Sequence, residues 1–201
     1  VQQLLPPNSN EIIAYLNLEK ANNETFPLAF LIGSLWAAGV ALFWLRLALV
    51  HRQFVISTRK NNRPLDTNLR DLITHQTNCL GMSNPPQSVA NTTATSPFIY
   101  GIIRSVLVVP TNISAKLNHD QLAWLITHEL IHIKRRDTLS LFCAQILVSV
   151  FWFNPLMYWA FRAFKIDQEK SCDEQVITTL QLDNKRHEYG QLLWNTTQQI
   201  H

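Results

Sequence analysis

Twenty consecutive residues, Phe26 to Leu45 (FPLAFLIGSLWAAGVALFWL), carry no charge. A helix of this length rises about 30 Å, the thickness of a bilayer's hydrocarbon core. The run therefore predicts a transmembrane helix, placed over residues 26–50 and ending in Arg46, His51 and Arg52. Composition agrees, with 47% apolar and only 15% charged residues, low in charge for a soluble domain. One cation, Lys20, precedes the helix, whereas eleven Lys and Arg lie between Arg46 and Arg136. Cytoplasmic segments carry that excess. Residues 1–25 are thus expected outside the membrane as an extracytoplasmic segment, and residues 51–201 in the cytoplasm. A net charge of +3 is too small to imply nucleic acid, which is not an expected partner. Three scattered cysteines, Cys79, Cys143 and Cys172, suggest no disulfide framework.

A second uncharged run, Thr138 to Phe161, is broken by Asn154-Pro155. Proline removes a backbone donor and turns its predecessor out of helical geometry. The run reads as a long apolar helix, a break and a shorter helix. Elsewhere Arg63–Met82 is expected to be helical and Asn84–Ala94 a loop or irregular strand. Pro97–Pro110 is expected to give one or two strands. Lys165–Leu180 and Arg186–Ile200 read as two further helices. Asn118, with Gln121 three residues on, is the signature of a helix start.

That helix carries THELIHIKRRD, Thr127 to Asp137. His128 and His132 are four apart and share a helix face, where two neutral imidazoles can bind one Zn²⁺. Glu129, beside the first, is placed to take a proton from water and return it to a leaving amine. A catalytic zinc needs a third protein ligand and one open position. Glu169 in DQEKSCDEQV is the best candidate, with Asp173 on the same face to fix a ligand imidazole by hydrogen bonding. Other donors exist: His75, His119, Asp137 and His187. Asp137 falls five residues past His132, away from the ligand face, and is expected to end the helix or pair with Arg135 or Arg136. Cys172 and Cys143 read as buried thiols, and Tyr189 as a packing residue.

THELIHIKRRD, then NPLMYWAFRAFKIDQEKSCDEQVI, then RHEYGQLL resemble the cytoplasmic protease domain of the BlaR/MecR-type membrane metallopeptidases, best known as β-lactam sensors. The resemblance runs from Thr95 to about Leu193, with SPFIYGIIRSVLVVP similar to the strand segment before the zinc helix. It implies a gluzincin-like fold, His128, His132 and Glu169 as ligands, and Glu129 as base. It also implies cleavage of a transcriptional repressor or of the protease itself. No penicillin-binding sensor module is recognisable here, so a β-lactam role is not expected of this chain.

The resulting expectation is an α+β protein, mainly α with a small β-sheet: a membrane-anchored metalloprotease domain in the bacterial cytoplasmic membrane. Its partners are the bilayer and a protein or peptide substrate, with a second copy as a candidate for a homodimer. The competing function is a non-proteolytic signalling or scaffold protein with a structural zinc. One geometric condition follows. If residues 138–163 crossed the membrane once, His132 and Glu169 would lie about 30 Å apart. Leu139–Phe153 is about 22 Å of helix, too short to span. The segment is therefore expected to be a re-entrant or interfacial hairpin whose turn protein must cover. The strand around Ile102 to Val109 is expected to offer an unpaired edge to an extended substrate.

Overall fold

The computed structural model describes residues 8–198. It is mainly helical with a small mixed sheet. Residues 1–47 and 48–201 form two compact units.

Helix α1, Ser9–Lys60, contains the uncharged run. No helical break separates residue 25 from 26 or residue 50 from 51, so the membrane-length segment is part of a longer helix. Pro27–Lys60 is long and apolar enough to cross a bilayer. Pro27 lies inside this helix.

In the second unit, α2 (Thr67–Cys79) lies where a helix is expected. The sheet has the order β1 (Asn62–Arg63), β2 (Gln87–Asn91), β4 (Val106–Pro110), β3 (Phe98–Tyr100). The segment read as loop or irregular strand therefore contains a regular one, β2, parallel to β4. All five β4 residues are buried, and β3 pairs with β4 antiparallel. Asn91, 2% exposed, ties this region together. Its amide donates to the carbonyl of Thr58 (2.9 Å) and its Oδ1 accepts from the backbone N–H of Thr93 and Ala94.

The short helix α3 (Ile113–Lys116) leads into α4, His119–Arg135. The Asn118 side chain accepts from Gln121 N–H, and the Gln121 side chain accepts from Asn118 N–H. This reciprocal pair satisfies two otherwise orphaned donors. One face of α4 is apolar: Ile126, Leu130 and Ile131 are fully buried, with Leu107 and Val109 of β4 and Val176 in the same core. Each such side chain contributes about 1.5–3 kcal/mol by leaving water. The core thus fixes the helix that bears both histidines.

Helix α5 is Asp137–Val150 and α6 is Pro155–Thr179. Asn154 caps α6, accepting from Leu156 N–H, and Pro155 occupies the first turn, where a missing N–H costs nothing. Lys165–Leu180 is thus not a separate helix. It continues α6, because no breaker follows Pro155. Helices α5 and α6 pack together as a hairpin. At the turn between them Phe153, Leu156 and Trp159 are 61%, 69% and 72% exposed. Helix α7, Arg186–Gln198, packs on α4.

Candidate metal centre

Helix α4 ends at Arg136, which adopts the left-handed conformation (φ 58°, ψ 42°). On a continuing helix Asp137 would sit about 140° round from His132. The left-handed residue breaks that register and swings Asp137 back. Its Oδ2 lies 2.6 Å from His132 Nδ1, and its Oδ1 lies 3.3 Å from Arg135 Nε. Pairing with Arg135 matches the expectation. The expectation that Asp137 points away from the ligand face is wrong, and the left-handed turn is the reason.

His128 is held in the same way from other elements. Its Nδ1 lies 3.1 Å from Asp173 Oδ1 on α6 and 3.0 Å from the Tyr189 hydroxyl on α7. Tyr189 in turn donates to Asp173 Oδ1 (2.9 Å). Tyr189 is therefore more than a packing residue, although it is 2% exposed and also packs edge-on to Trp124.

With both Nδ1 atoms occupied, both Nε2 atoms turn inward and stand 3.1 Å apart. Glu169 Oε2 lies 3.6 Å from each. Ligands about 2.0–2.1 Å from a tetrahedral zinc stand about 3.3 Å from one another. The three donors thus already have nearly the spacing of three corners of a zinc tetrahedron. The Cys172 thiol is the structure's addition. His128, His132 and Cys172 offer three ligand atoms within 4.8 Å of one another. The S–H donates to the backbone carbonyl of His128 (3.4 Å). His75, His119 and His187 join no such group among the described residues.

The electrostatics also suit a cation. Burial opposes a charged His128, but the neighbouring Asp173, Cys172 and Glu169 outweigh it and raise the ring far above the usual histidine range. Burial likewise opposes charge on His132, yet Cys172 and Glu169 raise it to about 10. With Nε2 atoms 3.1 Å apart the two rings titrate as one coupled pair, which holds its first added proton more tightly than its second. The imidazoles of His128 and His132, 3.6 Å away, keep the Glu169 carboxyl well below the usual range. The cluster retains positive charge because carboxylates surround it, and a divalent ion answers the same need.

Glu129 lines a cleft of about 260 Å³ with His128, His132 and Glu169. Burial pushes its carboxyl up to about 7, against the pull of the two imidazoles. A group that titrates near neutrality is suited to both taking and giving a proton. The other wall of the cleft includes Pro97, Phe98 and Ile99, at and before β3. The edge strand is thus Phe98–Tyr100, not the stretch around Ile102 to Val109: β4 is flanked by β2 and β3. Phe98 and Tyr100 also pack against Phe54, with ring centroids 5.6 and 6.4 Å away.

Residues 9–201 match the protein family described as BlaR1 peptidase M56. The chain belongs to this family. The BlaR1 peptidase family includes the regulatory protein BlaR1 of Bacillus licheniformis, 30% identical over 186 residues. That match covers 90% of this chain and 30% of the relative. The methicillin resistance mecR1 protein of Staphylococcus aureus is 32% identical over 94 residues, 47% of this chain and 15% of that protein. The chain thus spans less than a third of the length of these curated relatives.

In this member of the family, replacing Asp137 by Asn should weaken metal binding about 10–100-fold, because a neutral amide polarises His132 less than a carboxylate does. Competition with a chromophoric chelator measures it. Unchanged affinity would mean the 2.6 Å contact has no bearing on metal.

Proposed function

We propose that this chain is the membrane-anchored catalytic part of a zinc endopeptidase that cuts a cytoplasmic or membrane-proximal protein. The observation that carries the reading is the convergence of His128 Nε2, His132 Nε2 and Glu169 Oε2 within 3.6 Å, beside Glu129 in one cleft. Bacterial relatives named as regulatory and resistance proteins favour a signalling role, with a transcriptional repressor or the protease itself as candidate substrate.

In this reading His128, His132 and Glu169 hold zinc, while Asp137 and Asp173 orient the imidazoles. When bound, zinc supplies a Lewis acid that polarises the scissile carbonyl and acidifies water. Glu129 accepts the proton of the attacking water and delivers it to the leaving nitrogen. The β3 edge offers backbone donors and acceptors to an extended peptide, which adds to the sheet as a further strand. Closure of one wall by Phe98 and Ile99 limits water around the reacting bond.

The hairpin of α5 and α6 lets Glu169 return to the histidines, consistent with an interfacial rather than a spanning segment. Its exposed Phe153, Leu156 and Trp159 suit immersion in the headgroup region. The catalytic unit then sits on the cytoplasmic face of the bacterial membrane, with Phe26–Leu45 as the anchor.

The test is hydrolysis of casein by the zinc-loaded chain in detergent, followed across pH. Glu129 must be ionised to accept a proton. A buried carboxyl that titrates near 7 falls lower beside a dication. Activity should therefore rise with pH along one acid limb whose midpoint lies below about 7. Absence of cleavage at every pH, in the parent and in Cys172→Ala alike, would contradict the reading.

A further inference from the structure

Helix α6 presents Glu169, Cys172 and Asp173 to the histidines at spacings of three and four residues, so all three share one face. Asp173 takes the outer nitrogen of His128. Glu169 and Cys172 both reach the inner side, from opposite environments: the Glu169 side chain is 57% exposed, whereas Cys172 is fully buried. A buried cysteine is ordinarily a small apolar filler. Here its sulfur lies within 4.8 Å of a nitrogen of each imidazole, and its S–H reaches the carbonyl of His128 itself. Cys172 belongs to the apolar core, but it is the core side chain that stands beside both imidazoles, and zinc takes thiolate as readily as imidazole.

We infer that Cys172 is a fourth protein donor to the metal, closing the centre from its buried side as a His₂GluCys set. This rests on the zinc reading above. A centre with four protein donors has no open position, the arrangement of structural zinc sites. The chain would then rest in a closed form, and release of Cys172 would open the corner that hydrolysis needs. Glu169 and Cys172 belong to the same helix, so a small rotation or slide of α6 against α4 changes the distance of the sulfur from the two nitrogens. Cys172 also lies 44 residues from His128 in sequence, so this contact depends on the return of the α5–α6 hairpin.

The experiment is zinc X-ray absorption on the full chain in detergent, with Cys79 and Cys143 replaced by serine so that Cys172 is the sole thiol. The expected spectrum contains one sulfur at about 2.3 Å and three nitrogen or oxygen neighbours at about 2.0–2.1 Å. Cys172→Ala and Cys172→Ser should lose the sulfur shell while still binding zinc. The two-serine parent by itself suffices if those variants fail to fold. One zinc bound only by nitrogen and oxygen overturns the Cys172 assignment and leaves the His₂Glu reading intact. Sulfur together with a fifth, water-derived oxygen overturns closure. No bound zinc overturns both the Cys172 assignment and the metal reading on which it rests.

Discussion

Replacement of Glu129 by Gln should lower the rate of peptide hydrolysis by about 10²–10⁴-fold while zinc content stays at the parental level. Removal of a positioned general acid–base typically costs this much. The substitution keeps the size of the side chain and changes only its ability to carry a proton. Glu129 lines the cleft with His128 and His132, and its burial already disfavours charge. The neutral amide should therefore be tolerated, and the fold should be as stable or slightly more so. The check pairs a turnover assay with metal analysis of the same sample. A variant with normal zinc and normal turnover would remove Glu129 from the chemistry.

Stripping the metal with a chelator should abolish hydrolysis, and added Zn²⁺ should restore it, with helical content unchanged throughout. The second part follows from the core. Leu107, Val109, Ile126, Leu130, Ile131 and Val176 are buried in one apolar cluster. Small zinc domains unfold without metal because they lack such a core. In this chain the loss of metal should expose only a local imbalance. His128, His132, Glu169, Asp137 and Asp173 would still pair with one another by proton sharing. Circular dichroism alongside the assay makes the distinction. Loss of helix on chelation would mean that the metal holds the fold together.

The parts of this account that could be read from sequence are those fixed by local chemistry. The capping pair of Asn118 and Gln121 forms as its spacing predicts. The four-residue interval places His128 and His132 side by side. The uncharged run lies in a helix of membrane length. The Asn154-Pro155 break separates α5 from α6, and the return of the chain follows from the need to bring Glu169 to the histidines.

What was not legible depends on backbone turns and on contacts distant in sequence. Arg136 takes a left-handed conformation, which an arginine does not advertise as a glycine would. That single residue decides that Asp137 faces His132. Tyr189 lies 61 residues from His128, and no periodicity records such a meeting. The edge falls on a different stretch from the expected one because Pro97–Pro110 folds into two strands around a turn, with Gly101 at φ +99°. The apolar β-branched stretch then becomes the covered strand β4, and the shorter aromatic one becomes the edge. Cys172 is buried, as expected of a core thiol, whereas Cys143 is exposed; that Cys172 also lies beside the two imidazoles depends on a contact between residues 44 apart.

The most direct test of the central claim is zinc content and affinity of the purified chain beside Glu169→Ala. The account predicts one zinc per chain, held at least about 100-fold less tightly once the carboxylate is gone, since even an outer partner of a ligand is worth 10–100-fold. Equal affinity in the two proteins would contradict it. Glu169 would then not be a ligand, and the convergence of α4 and α6 on one ion would lose its meaning.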